Sequence, residues 1–385
     1  MRIVVIPSWY SLPGHPNNGI FFRDQVLALR HHGIDAHLFY VEPRSLHEWS
    51  LPALRENHFQ VVSCTETGIP TFRMKGWNPL LATLAGGLIW SAMTVALVDH
   101  YIRTHGIPDL IHAHSIYWGG YAAMKISRKH QVPFLVTEHA SPFYTLLGAR
   151  HRRYLKQVVR EASAVVAVSR GLAAAMEANG VPAGLPVIPN VVDTDFFIPS
   201  SPKKQKRIGH TFITVANLNA NKGIDLLLRA FAESCGSIQT ATLIIVGDGP
   251  ERESLRLLAA SLGLANRVTF TGSLDRQQVR HALQQADTFV LASRKETFGV
   301  VLIEALSTGL PVIASRSGGP EDIVTQEVGH LFDPDDQHTL ATLLQQACER
   351  QDFNAANARE LAINRYAPAV IAADYTRLYA SIIRP

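Results

Sequence analysis

Short apolar runs recur along this 385-residue chain, and helical spacing follows nearly every one of them. Arg2–Ile6 reads as a strand. Phe21–His32 reads as a helix with Phe22, Val26 and Leu29 on one face, ending before Gly33, and Ala36–Val41 is the next strand. Further short strands are expected at Asp109–Ala113, Pro133–Thr137 and Ala164–Ser169, with helices over Gly120–Lys129 and Arg152–Ala162. Strands that alternate with helices imply right-handed βαβ units and a parallel sheet.

The alternation breaks once. A strand at Val187–Ile188 runs into Pro189-Asn190, then Ile198-Pro199-Ser-Ser-Pro202 and Lys203-Lys-Gln-Lys-Arg207, a Pro-, Ser- and Lys-rich stretch that reads as a linker. It then restarts with strands at Thr211–Val215, Thr242–Val246, Val268–Thr271, Thr288–Ala292 and Val312–Ala314. The helices between them are Ile224–Ala232, Arg252–Leu262, Arg276–Gln285 and Val301–Thr308, and a last helix covers about Val370–Ile383. The expected organisation is an α/β fold of two Rossmann-like domains, residues 1–190 and 208–365, joined by a linker over 191–207. Ligands of open parallel sheets sit beyond the carboxyl ends of the strands, so two such domains are expected to face each other across a cleft.

Hydrophobic residues make up 47% and charged residues 18%, which allows a sizeable core and excludes global disorder. A net charge of +4 without a long Lys/Arg block gives no case for nucleic acid. Cys64, Cys235 and Cys348 are far apart and form no CxxC pair, so a disulfide framework or zinc site is not expected and a reducing, cytoplasmic setting is. The first apolar run stops at Pro7, too short for a signal-peptide core. Pro79–Val98 is twenty residues without a charge, long enough to span a bilayer, but it is diluted by Gly86-Gly87 and sits where a crossover helix is needed. A buried helix, or one resting on a membrane face, is expected.

The densest chemistry lies in Ser293-Arg-Lys-Glu296-Thr-Phe298-Gly299-Val300, continuing to Glu304. A helix starting near Phe298–Val300 has free first amides, and Gly299 lets the backbone approach a ligand, an arrangement that binds phosphate oxygens. Glu304 is about one turn in, so both carboxylates can face the same mouth and bond to sugar or ribose hydroxyls. On spacing alone, a capping Glu and a solvated helix Glu explain the pair at least as well. Lys222, after a strand in Asn217-Leu-Asn-Ala-Asn-Lys222-Gly223, is placed to neutralise a departing diphosphate; an exposed helix-start Lys is the plainer alternative. His139, in Thr137-Glu-His139, ends a strand of the first domain and can donate to a hydroxyl. His112 and His114 end a neighbouring strand, read here as addressing alternate faces, with no partners at metal-ligand spacing. Trp9 and His114 are taken as acceptor-side. The Gly/Asn-rich loop from Pro7 to Gly19 is not GxGxxG, which argues against NAD or FAD, and Gly19 opens the next helix. Gly247–Gly249 reads as a strand-to-helix turn, and Asp193-Thr-Asp195 as a capped turn rather than a metal-binding DxD.

Together these segments resemble the family 4 glycosyltransferases of the GT-B fold. The likeness runs over nearly the whole chain. Its most specific parts are Glu296 and Glu304 around Phe298-Gly299, Ala305 to Pro311 and Ser317-Gly-Gly-Pro-Glu321. Val187-Ile-Pro-Asn190-Val-Val-Asp193, Lys222-Gly223, Ser169 and Thr137-Glu-His139 add to it. The resemblance implies a retaining, metal-independent transfer of a sugar from a UDP- or GDP-sugar. Glu296 would contact the donor sugar, the amides of Phe298–Val300 the diphosphate, Glu304 the ribose, and Lys222 the diphosphate. His139 would lie beside the anomeric carbon or a sugar hydroxyl, and Gly19 near acceptor and diphosphate. It also implies that the last helix, about 366–385, joins the first domain. The family usually has Arg where this chain has Asn217, leaving Lys222 and the helix start to stabilise the leaving group.

The expected acceptor is a glycan or lipid-linked hydroxyl in cell-envelope or exopolysaccharide synthesis. Arg150-His-Arg-Arg153 to Lys156 and the apolar 79–98 stretch suit a peripheral contact with the inner face of the cytoplasmic membrane. A solvated helix and a buried one account for the two segments equally well. Two other readings remain at this stage. One is a sugar-nucleotide epimerase of the same fold, which needs acid/base groups the sequence does not display; the other is a catalytically silent nucleotide-sugar binder, favoured by Asn217 alone.

Overall fold

The computed structural model describes the chain except residues 11–18, 49, 57, 82, 140–148, 201–208, 235–239, 350–353 and 384–385. The Lys-rich half of the linker, Cys235, the middle of the Gly/Asn-rich loop and Ser141 therefore lie outside the described residues. Two compact units emerge: Met1–Val191 with Pro368–Pro385, and Val192–Ala367.

In unit 1 the parallel strands β1 (Arg2–Pro7), β2 (Asp35–Arg44), β5 (Leu110–His114), β6 (Phe134–Glu138) and β7 (Ala164–Ala167) form one sheet with β3 (Val61–Glu66) and β4 (Ile69–Trp77), in the order β3-β4-β2-β1-β5-β6-β7. The central strands are buried end to end, which is why they read as unbroken apolar runs rather than alternating ones. Helices α1 (Ile20–His31), α3 (Leu84–His105), α4 (Tyr121–His130), α5 (Ala149–Glu161) and α6 (Arg170–Ala178) connect them, and a short α2 (Leu51–Arg55) follows β2.

Three differences from the sequence reading have clear causes. The β3–β4 pair is an antiparallel hairpin closed by Thr67 and Gly68, both at positive φ (48° and 87°), as a type I′ turn requires. Val187–Ile188 forms only an isolated bridge to Ala167, because Pro186 and Pro189 remove the flanking donors a strand needs. The uncharged 79–98 stretch starts its helix late, at Leu84, where Thr83 caps the Gly86 amide, and runs on through Asp99 and Arg103 to His105. Its Trp90 donates to the Val41 carbonyl at 3.0 Å, and Leu97, Val98 and Tyr101 are fully buried. Among the described residues no helix is long and apolar enough to cross a membrane.

In unit 2 the parallel strands β8 (Thr211–Val215), β9 (Thr242–Val246), β10 (Val268–Gly272), β11 (Thr288–Leu291), β12 (Val312–Ser315) and β13 (Gly329–Phe332) are ordered β10-β9-β8-β11-β12-β13. They alternate with α7 (Ile224–Ser234), α8 (Arg252–Ser261), α9 (Arg276–Gln285), α10 (Val300–Ser307), α11 (Pro320–Ile323) and α12 (Gln337–Glu349). Helix α13 (Ala355–Tyr366) completes the unit. The last helix, α14 (Pro368–Ile383), belongs to unit 1 and packs on α1. Asp193 accepts the Phe196 amide at 3.0 Å, so this Asp caps a turn.

Gly223 shows how tightly the β8–α7 connection is drawn. Its φ is +63°, and a Cβ there would stand 2.0 Å from the Ala292 carbonyl oxygen. Gly223→Ala is therefore expected to cost about 2–4 kcal/mol, from left-handed strain plus a backbone clash. A urea unfolding curve with an unshifted midpoint would show that this turn yields easily.

Candidate active site

Strand β11 ends at the floor of the unit 2 site, and the loop 293–299 leads from it into α10. The loop is held from two sides. The Glu296 amide donates to the Ser317 carbonyl at 2.9 Å, and the Gly319 amide donates to the Glu296 carbonyl at 2.8 Å. A Cβ on Gly319 would lie 2.3 Å from Phe298 Cα, so the Ser317-Gly-Gly segment lets two backbones touch. On the other side Asn221 donates to the Lys295 carbonyl (2.8 Å) and accepts the Lys295 amide (3.1 Å), and its own carbonyl accepts the Arg294 amide at 2.7 Å. Sequence reasoning overlooked Asn221; the only signal was its place in an Asn-rich turn just before Lys222-Gly223.

This scaffold brings Lys222 and Glu296 together. Lys222 Nζ and Glu296 Oε2 are 2.7 Å apart, with 24% and 14% of the side chains exposed, and Ser293 Oγ donates to the same carboxylate at 3.4 Å. Gly299 caps α10 at φ 95°, a left-handed conformation that glycine adopts without strain. Phe298 is 2% exposed and packs edge-on against Tyr366 at 6.0 Å, so its side chain anchors the helix start. The Val300 and Val301 amides that begin α10 have no carbonyl a turn earlier to bind, whereas the Leu302 amide donates to the Gly299 carbonyl at 2.9 Å, and the helix dipole adds partial positive charge there. Glu304, half-buried, lies in the second turn of α10 and has a partner within the protein. Asn217 is exposed just beyond β8, and Gly249 comes within 2.7 Å of its Oδ1 as judged from an added Cβ. The mouth thus combines one ammonium, a helix start and the Glu296 carboxylate, which suits a diphosphate flanked by hydroxyl groups.

In unit 1 the carboxyl ends of β1, β5 and β6 gather the other predicted residues. His114 Nδ1 and His139 Nε2 are 3.0 Å apart. His112 and His114 share one face of β5, with ring centroids 4.3 Å apart, which corrects the expectation of alternate faces; residues two apart on a strand project to the same side. His112 Nδ1 pairs with the Tyr379 hydroxyl (2.7 Å) and its Nε2 with Thr137 Oγ1 (2.8 Å), which also meets the Tyr375 hydroxyl (3.0 Å). Burial pushes His112 and His139 down to about 3 and His114 well below the usual histidine range; Asn190, beside His139, offsets this in part. All three rings are neutral at pH 7, so in the His114–His139 bond one nitrogen donates and the other accepts. His114 Nε2 is buried and has no hydrogen-bond partner. Phe22 stacks at 4.7 Å from His114, and Trp9 meets Phe22 at 5.2 Å. Gly19 caps α1 at φ 70° with its carbonyl accepting the Phe22 amide. Among the described residues no three His, Cys, Asp or Glu side chains form a metal-ligand set.

Two residues that sequence reasoning undervalued organise this end. Glu138, 2% exposed, accepts from Ser115 Oγ, the Ile116 amide and the His139 amide, each at 2.9 Å. Ser8 Oγ lies 2.7 and 2.8 Å from the His114 and Tyr117 carbonyls, which share its one proton, and accepts the Gly119 amide (3.0 Å).

Known proteins share this plan. The model described as Glycosyltransferase Family 4 matches residues 19–196, and the model described as Glycosyl transferases group 1 matches residues 193–365. The chain belongs to the family 4 glycosyltransferases. A putative teichuronic acid biosynthesis glycosyltransferase, TuaC of Bacillus subtilis, is 29% identical over 361 residues, 89% of this chain and 87% of its own length. A GDP-mannose-dependent alpha-(1-6)-phosphatidylinositol monomannoside mannosyltransferase of Mycobacterium tuberculosis is 38% identical over 173 residues, 40% of this chain and 44% of its own. Among solved structures, Anabaena HepE in complex with UDP superposes with a TM-score of 0.75 at 23% identity, covering 99% of this chain and 100% of that one. That likeness shows the two-domain Rossmann-like GT-B fold.

Proposed function

We propose that this glycosyltransferase moves a sugar, with retention and without a metal or cofactor, from a UDP- or GDP-sugar to a hydroxyl of a glycan or lipid-linked acceptor of the cell envelope or an exopolysaccharide. The observation that carries the reading is the Lys222–Glu296 pair at 2.7 Å beside the Gly299 helix start. Lys222 and the first α10 amides take up charge as the bond between anomeric carbon and diphosphate oxygen breaks. Glu296 and Glu304 grip donor hydroxyls, and neither acts as a general base. The acceptor hydroxyl attacks from the face the diphosphate leaves, and its proton passes to a departing phosphate oxygen. Unit 1 supplies the acceptor side with Gly19, Trp9, His114 and His139. The HepE complex with UDP and the GDP-mannose-dependent relative support a nucleotide donor, and the teichuronic acid and phosphatidylinositol mannoside relatives support an envelope acceptor.

A peripheral contact with the inner face of the cytoplasmic membrane fits the basic face of α5. Exposed Arg152, Lys156 and Arg160 rim a cavity of about 280 Å³ floored by Leu155, Val159 and Val181.

The test is a donor panel. Purified protein is incubated with UDP- and GDP-sugars with and without candidate acceptors. Nucleotide release is measured with and without chelator, and the product anomer is read by NMR. Release from one donor, insensitive to chelator, with retained configuration is expected. Binding of nucleotide in calorimetry without turnover of any donor would instead establish the silent binder that Asn217 suggests.

A further inference from the structure

The turn after β5 carries two aromatic side chains on a backbone held at unusual cost. Ser115 and Trp118 are non-glycine residues at positive φ, 68° and 61°, and Trp118 has ψ −59°, outside the regions open to a bulky residue. Such a residue persists only when its surroundings over-determine it. Here they do. The buried Glu138 carboxylate fixes Ser115 and Ile116, and Ser8 fixes the carbonyls of His114 and Tyr117 and the amide of Gly119.

The glycines next to Trp118 do not relieve it. Gly119 and Gly120 follow at once, yet neither takes the positive φ. They serve close packing instead, since added Cβ atoms would lie 2.7 Å from Ser8 Oγ and 2.9 Å from Val158. Across the turn α3 opens a notch: a Cβ on Gly87 would come within 1.5 Å of the Trp118 indole. One side of the indole is seated there, the Tyr117 ring lies 4.1 Å away by centroid, and both side chains stay partly exposed. The turn stands at the carboxyl end of β5, the strand paired with β1, whose own end carries Trp9.

We propose that Tyr117 and Trp118 form a stacking platform for a pyranose ring of the acceptor glycan. The ring's C–H face is apolar and slightly positive, and packs on the negative face of an aromatic ring while its hydroxyls stay in water. The proposal rests on the reading that unit 1 receives the acceptor.

The whole chain labelled with 5-fluorotryptophan tests it by fluorine NMR. Trp118→Phe assigns the resonance, and Trp90, buried under β2, is the internal reference. Methyl α-glycosides of glucose, mannose, galactose and N-acetylglucosamine are the probes, with glycerol as a polyol lacking a rigid ring face. At least one glycoside should shift Trp118 saturably in the millimolar range while Trp90 and the glycerol titration stay still. Tyr117→Ala, which leaves the clamped backbone in place, should weaken that shift at least five-fold. A Trp118 resonance unmoved by every glycoside, or moved equally by glycerol, overturns the proposal. The acceptor KM of a His139→Gln variant reports separately on whether unit 1 receives the acceptor, so the two failures are distinguishable.

Discussion

Glu296→Gln should lower sugar transfer by about 10²–10³-fold while leaving nucleoside diphosphate affinity intact or raising it a few-fold, and Lys222→Met should lose both. The signs follow from the pair itself. Lys222 is held 2.7 Å from Glu296, and a diphosphate must draw the ammonium away from that carboxylate. The pair is partly shielded, with 24% and 14% of the side chains exposed; ion pairs that water still reaches are worth about 0–1 kcal/mol, so releasing this one raises nucleotide affinity by only a few-fold. Transfer is a different matter. Removing one group aimed at a polar transition state typically costs about 10²–10³ in kcat, and Glu296 is the carboxylate that Lys222 meets. Glu304 sits a helix turn and more away, and Ser293 reaches the same carboxylate only at 3.4 Å. In Lys222→Met the diphosphate loses its cation, and Glu296 is left as an unpaired charge near phosphate. UDP and GDP calorimetry on both variants, beside turnover of the identified donor, checks the prediction. A Glu296→Gln protein with full turnover, or a Lys222→Met protein that binds nucleotide as the parent does, would remove these residues from the roles given to them.

Much of this site was legible because its parts are local. Strand, loop, Gly299 and helix lie within Thr288–Ser307, and a helix start with a glycine cap announces itself in one dimension. Glu296 needed more. From spacing alone it was as well explained as a capping residue. What distinguishes it is Lys222, 74 residues earlier, and the backbone bridge to Gly318, neither visible in any window of sequence. Asn221 escaped notice for the same reason, since the atoms it holds across the site belong to residues 294 and 295. In unit 1 the hairpin β3–β4 was overlooked although Thr67-Gly68 is a turn signature, because β3 is mostly exposed and both runs are mixed in polarity. The His112–His114 face was misassigned through a period error, and correcting it is what brings three imidazoles into one buried cluster.

That cluster makes unit 1 sensitive to acid: its stability should fall by about 4 kcal/mol between pH 7.5 and pH 5.5. Burial holds His112 and His139 near 3 and His114 well below its ordinary value of 6.5. Above pH 6.5 the rings are neutral in both folded and unfolded chains, so they contribute no pH dependence. As pH falls through 6.5 the unfolded chain binds three protons that the folded cluster refuses, and His37, which burial also lowers, adds a smaller loss of the same sign. Each unmatched proton destabilises the fold by about 1.4 kcal/mol per pH unit, and the loss continues until His112 and His139 titrate in place near pH 3. Paired carboxylates such as Asp35 and Glu66 are lowered from 3.8 and 4.5 and add their own acid loss only at lower pH, so the interval from 5 to 6.5 isolates the histidines. All five tryptophans, at positions 9, 49, 77, 90 and 118, belong to unit 1, so urea unfolding followed by tryptophan emission reports on this unit alone. His114→Gln should be less stable at pH 7.5, because it disturbs the 3.0 Å bond to His139, yet show a slope between pH 6 and 5 smaller by about one third. An unchanged slope in that variant, or a parent curve flat from pH 7.5 to 5.5, would mean that the imidazoles take up protons inside the folded unit.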